Sequence, residues 1–118
     1  MIDRNISNEF QENGVVLLKQ VIDLEWIEEL KKGIDRNFAK PSKYKCVYEE
    51  LNGKEIFYDD YCNWQRIKEY KNFIFNSNIA KVAGLLMQSK KVNLFHEHVL
   101  IKEIGSKKRT PWHQDQGY

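Results

Sequence analysis

The chain has 118 residues, 42% of them hydrophobic and 31% charged, which suits one domain or part of one and argues against wholesale disorder. Nineteen basic and seventeen acidic side chains leave a net charge of +2, so charge gives no support to nucleic acid or an anionic membrane as a partner. Cys46 and Cys62 fit neither a disulfide framework nor a zinc spacing and read as free thiols of a reducing compartment. Residues 1–7 lack the apolar run of a signal peptide, and no apolar stretch approaches the ~20 residues needed to cross a bilayer. A cytoplasmic protein with no membrane span is expected.

No repeat or low-complexity stretch is visible. Residues 8–14 read as a short helix or turn closing at Asn13-Gly14. Val15-Val16-Leu17-Leu18 is apolar and partly β-branched, which predicts a buried strand. Asp23 then reads as an N-cap with Glu25 in the first turn. Leu24, Ile27, Leu30, Ile34 and Phe38 follow at spacings of three and four, one face of a helix over 24–39. Gly33 weakens that helix without ending it, and Pro41 closes the segment.

Residues 44–58 predict a hairpin around Asn52-Gly53, a favoured two-residue turn. An irregular aromatic stretch covers 59–65 and a short helix 66–75. Ser77 is a second N-cap candidate, for a helix over 78–88 built on Ile79, Val82, Ala83 and Leu86. Residues 91–103 read as one long strand. His96, His98, Leu100 and Lys102 share one face; Phe95, Val99 and Ile101 lie on the other. Gly105-Ser106 breaks the strand, and a basic loop, Lys107-Lys108-Arg109, leads on.

The chain then reaches Trp112-His113-Gln114-Asp115-Gln116-Gly117-Tyr118. A His and an Asp two apart on an extended segment point the same way. An imidazole and a carboxylate so placed supply two of the three ligands of a non-haem Fe(II) facial triad. By itself His-x-Asp is a weak signal, and a lone histidine is more often a surface residue than a ligand. The setting sharpens it.

Three stretches carry a resemblance to the phytanoyl-CoA dioxygenase family of Fe(II)- and 2-oxoglutarate-dependent oxygenases. They are Asn13-Gly14-Val15-Val16-Leu17-Leu18-Lys19, then Tyr58-Asp59-Asp60-Tyr61-Cys62-Asn63-Trp64-Gln65-Arg66-Ile67, then residues 95–103 with Gly105 and residues 110–116. The resemblance runs from about Phe10 to Tyr118. It implies an α+β fold in which N-terminal helices pack on a double-stranded β-helix, a jelly-roll-like barrel that is incomplete in this chain. Residues 1–118 are accordingly expected to form a single domain unit, the N-terminal portion of an oxygenase domain without its C-terminal strands.

The resemblance further implies His113 and Asp115 as iron ligands. Lys102 and His98 are expected on the strand lining the cosubstrate pocket, and Gln116 and Tyr118 within reach of substrate. The expected cofactor is Fe(II), with 2-oxoglutarate as cosubstrate, molecular oxygen as co-reactant and a small organic substrate that is hydroxylated as 2-oxoglutarate becomes succinate. The family's distal histidine and its carboxylate-clamping arginine match no position here. The arginines are Arg4, Arg36, Arg66 and Arg109, and none follows the His-x-Asp.

Two other readings stay open. One is a non-catalytic binding or interaction module, whose unpaired strand edges would favour self-association. The other is a cupin-like metal-binding protein using His96, His98, His113 and Asp115 together. The bland reading of His96 and His98 is a pair of partly buried polar residues facing a cleft; that of Lys102 is a solvated edge charge. Tyr58, Tyr61 and Trp64 read as packing residues before substrate-reading ones.

Overall fold

The computed structural model describes residues 4–49 and 56–114. The elements run α1 (Arg4–Asn13), α2 (Leu24–Ala39), β1 (Cys46–Glu49), β2 (Ile56–Tyr61), α3 (Lys68–Asn76), α4 (Ile79–Leu86) and β3 (His98–Lys102). The order of helices and strands is that of an α+β protein. Its strands form one three-stranded antiparallel sheet, ordered β1-β2-β3. The second sheet of a double-stranded β-helix is not among the described residues. The expected Asn52-Gly53 turn lies outside them, although β1 and β2 do form the antiparallel pair it would join.

Helix α2 falls where its periodicity places it. Asp23 is extended at φ −66° and ψ 147° and makes no side-chain cap bond; its carbonyl instead accepts the Trp26 N–H at 3.0 Å. Glu25 in the first turn and Arg36 in the last both suit the helix dipole. The buried stripe is rotated from the expected one. Leu24 is 81% exposed, while Gly33 and Asn37 are the buried residues of the helix. The reason is a close crossing. A Cβ on Gly33 would meet Tyr70 Cε1 at 2.6 Å and Cδ1 at 2.8 Å, so a glycine lets α3 approach at this point.

Helix α1 clamps the end of α4. Ser7 Oγ donates to Leu85 O at 3.0 Å and Gln11 Nε2 to Leu86 O at 2.8 Å, taking up carbonyls that a helix C-terminus leaves without partners. Asn78, not Ser77, is the N-cap of α4; Ser77 caps the end of α3, and its Oγ accepts the Ile79 N–H at 3.3 Å.

Two expected strands differ. Val15–Leu18 is irregular; Val15 and Leu17 are 69% and 78% exposed and pair with no described strand. The run has the composition of a strand but no ladder neighbour among the described residues. The strand expected over 91–103 is confined to 98–102. Its partner decides this. Strand β2 ends opposite His98, at Tyr61; Cys62 N–H still donates to Glu97 O at 3.3 Å, and its φ of +60° then turns the chain.

Candidate functional site

The register sorts the sheet into two faces. Toward the helices point Val47, Tyr58, Asp60, Val99 and Ile101; on the opposite, open face lie Cys46, Tyr48, Phe57, Asp59, Tyr61, His98, Leu100 and Lys102. Two of the sequence-predicted residues, His98 and Lys102, therefore share the open face, four residues apart on β3. Both are exposed.

His98 is held in place. Its Nε2 lies 2.5 Å from Asp59 Oδ1, across the diagonal between β2 and β3. The Tyr61 ring stands edge-on to it with centroids 5.3 Å apart, and the same ring packs at 5.6 Å against His96. Tyr44 stacks on Tyr61 at 4.8 Å, 17° from parallel. Tyr61 is thus a packing hub for both histidines.

After β3 the chain turns at Glu103–Ser106, with Gly105 at φ +97°, a backbone conformation that favours glycine. The basic loop then comes back over the open face: Lys108 Nζ sits 4.6 Å above the Tyr48 ring, a cation–π contact. His113 follows in an irregular, exposed segment rather than a strand. Its Nδ1 is 2.8 Å from Pro111 O. A carbonyl only accepts, so Nδ1 donates in this contact. Histidines that ligate metals are commonly oriented in this way, with the other ring N–H on a backbone carbonyl. Asp115, Gln116 and Tyr118 lie outside the described residues. Among the described residues no three His, Cys, Asp or Glu side chains come together as a metal cluster; Asp115, needed by both metal readings, is outside them.

The helix-side face holds what the sequence did not flag. Asp60 is fully buried. Its Oδ2 accepts from Asn37 Nδ2 at 2.7 Å, Ser42 N at 2.9 Å and Tyr58 Oη at 3.1 Å, and its Oδ1 accepts from Ser42 Oγ at 2.5 Å. Burial alone would raise its pKa, but the hydrogen bonds from Ser42, Asn37 and Asn63 win and hold it down at about 2. Burial, and then the Asp60 charge, push Tyr58 up to about 12. Burial also raises Tyr70, with Glu97 the next cause. Glu97 is a second tie: its carboxylate accepts the N–H groups of Asn63 and Trp64, the latter at 2.9 Å. It fixes the loop after β2 to the entry of β3. Residues 59–65 read in sequence as irregular, whereas β2 runs on to Tyr61; alternation along it sends one of the adjacent carboxylates, Asp60, inward.

The α+β frame thus carries an open sheet face with an imidazole–carboxylate pair, a lysine and a returning basic loop. The family model for phytanoyl-CoA dioxygenase (PhyH) matches residues 10–118, and the chain belongs to that family. The family generally comprises Fe(II)- and 2-oxoglutarate-dependent oxygenases. No curated protein and no solved structure matches the chain. No helix among the described residues is long and apolar enough to cross a membrane.

Proposed function

We propose that this chain contributes the first metal-binding segment and part of the cosubstrate pocket of an oxygenase. That enzyme hydroxylates a small organic substrate and converts 2-oxoglutarate to succinate. The observation that carries the reading is the contact of His113 Nδ1 with Pro111 O at 2.8 Å, within a sequence whose family match includes both His113 and Asp115. A neutral imidazole nitrogen and a carboxylate oxygen are a donor set suited to ferrous iron, so the residues present fit the metal. His113 and Asp115 would hold it, and the bound iron would supply dioxygen activation.

The other residues do the binding. Lys102 offers a cation to one carboxylate of 2-oxoglutarate, and His98 lines the same open face. Gln116 and Tyr118 are proposed to meet the substrate. The sheet is proposed to belong to a double-stranded β-helix, with its open face turned inward. Such a face would keep water from the reacting groups, and its aromatic members Tyr48, Phe57 and Tyr61 suit that task.

Titration of the protein with Co(II) or with Fe(II) under nitrogen tests this. One site is expected, lost in His113→Ala and retained in His96→Ala. Binding that survives His113→Ala removes the oxygenase reading, and loss on His96→Ala favours the cupin-like one. Succinate formation from 2-oxoglutarate then tests turnover.

A second reading is favoured by the surface. Phe95, Leu100, Ile104 and Trp112 are 72%, 52%, 98% and 104% exposed, and β1 and β3 each present an edge with no described neighbour. Such edges and patches promote association between chains. Sedimentation velocity distinguishes the cases: a monomer across the micromolar range would count against an interaction module.

A further inference from the structure

The most constrained ionisable pair on the open face is Asp59 with His98. A carboxylate oxygen can only accept when ionised, so at 2.5 Å the hydrogen between the two groups belongs to His98 Nε2. Two aromatic rings border this contact. Tyr61 flanks it at 5.3 Å on one side, and His96 lies 5.9 Å away, centroid to centroid. Asp59 is itself placed by the ladder, opposite Cys46 on β1 and opposite Leu100 on β3. The diagonal from Asp59 to His98 is a distance that long side chains span on one face of an antiparallel pair.

We propose that Asp59 is a positioning residue: it holds the His98 ring with Nε2 protonated and so makes Nδ1 the ring atom offered to the cosubstrate. The proposal rests on the reading of His98 as a cosubstrate-pocket residue. Its chemical consequence is specific. With Nε2–H committed to Asp59, the ring meets a carboxylate of 2-oxoglutarate only as a doubly protonated bridge, Nε2–H on Asp59 and Nδ1–H on the ligand. Asp59 balances the charge of that bridge while taking no part in contact with the ligand. Without Asp59 the ring can turn about its side-chain bonds and present either nitrogen.

Two measurements on the full chain decide it. The first is the ring nitrogen chemical shifts of ¹⁵N-histidine-labelled protein at a pH where the ring is neutral. His98 is expected as the Nε2–H tautomer and, in Asp59→Ala, as a mixture. A neutral His98 protonated on Nδ1 in the unaltered protein overturns the proposal. The second is calorimetric titration with 2-oxoglutarate in the presence of Mn(II), for Asp59→Ala, His98→Ala and the double variant. Asp59→Ala should weaken binding roughly tenfold, the lower end of what a hydrogen bond to a charged group contributes, and should have no effect in the His98→Ala background. Equal weakening in both backgrounds overturns the positioning role. If the unaltered protein binds no 2-oxoglutarate, the pocket reading fails and the cosubstrate part of the proposal with it. The nitrogen shifts still report separately whether Asp59 holds the ring.

Discussion

Asp59 and Asp60 are neighbours in sequence and belong to different regions of the molecule. Asp60 faces the helices, is fully buried, and collects hydrogen bonds from Asn37, Ser42 and Tyr58. Asp59 faces the open side of the sheet and has one described side-chain partner, His98. One residue ties β2 to the C-terminal end of α2 and to the turn after Pro41. The other holds a ring over a surface where a ligand can arrive. The pleat of a strand separates the two tasks at no cost in length. It lets the buried network be rigid while the adjacent face stays accessible.

The largest effect is expected at the buried aspartate. Asp60→Ala strands the Asn37 amide, the Ser42 N–H and hydroxyl and the Tyr58 hydroxyl in a dry site. Removing a charged acceptor from several donors should cost about 3 kcal/mol, read as a shift in the urea midpoint at unchanged slope. A loss below about 1 kcal/mol would mean that water replaces the carboxylate and that the clip is not structural. The same residue sets an acid dependence. Its folded-state pKa, about 2, lies below the ordinary 3.8, so folding is favoured while the carboxylate is ionised. That contribution is complete above about pH 4 and is lost as the pH falls toward 2. Asp60→Asn should flatten this limb of the stability curve.

Next comes the crossing of α2 and α3. Gly33→Ala places a methyl 2.6 Å from Tyr70 Cε1 and 3.1 Å from Glu69 Cβ. Overpacking of this kind costs about 2 kcal/mol, partly offset by about 1 kcal/mol of better helix propensity. Thermal melting should therefore show a net loss. A gain would show that Tyr70 swings away easily. The Tyr58→Phe change is milder still. It removes a hydroxyl that donates to Asp60 at 3.1 Å and accepts from Asn37 at 2.9 Å, yet leaves Asn37 bonded directly to Asp60. About 1 kcal/mol is the expected loss.

What could be read from the sequence follows the same division. Helix α2 was legible to the residue because its signals are local: an N-cap position, a 3.6-residue period and a closing proline. The hairpin pair and the α4 helix were legible for similar reasons. The extents of Val15–Leu18 and of β3 were not, because a strand exists only where a partner lies, and β2 stops at Tyr61. The polar network was missed because its members, Asn37, Ser42, Asp60 and Asn63, are scattered in sequence and only the fold assembles them. Asn37 is instructive: it sits between Arg36 and Phe38 on a helix, with nothing local to mark it as fully buried. Within the candidate site, the shared face of His98 and Lys102 was legible from alternation. The Asp59 partner was not, since finding it requires the β2–β3 register.

The smallest stability effect is expected one residue away from the largest. Asp59→Ala removes a partly exposed carboxylate whose partner, His98, has 39% of its side chain exposed. Surface pairs of this kind are worth from nothing to about 1 kcal/mol, because water solvates either group once the other is gone. Urea unfolding of Asp59→Ala should thus stay within about 0.5 kcal/mol of the parent protein, against about 3 kcal/mol for Asp60→Ala. The two variants differ in position by one step along the chain and by one face of the sheet, so the ratio of their effects measures the separation directly. Comparable losses would show that Asp59 also supports the fold, and a tautomer change at His98 could then follow from general loosening. A wide gap leaves the histidine's tautomer as the property that Asp59 controls.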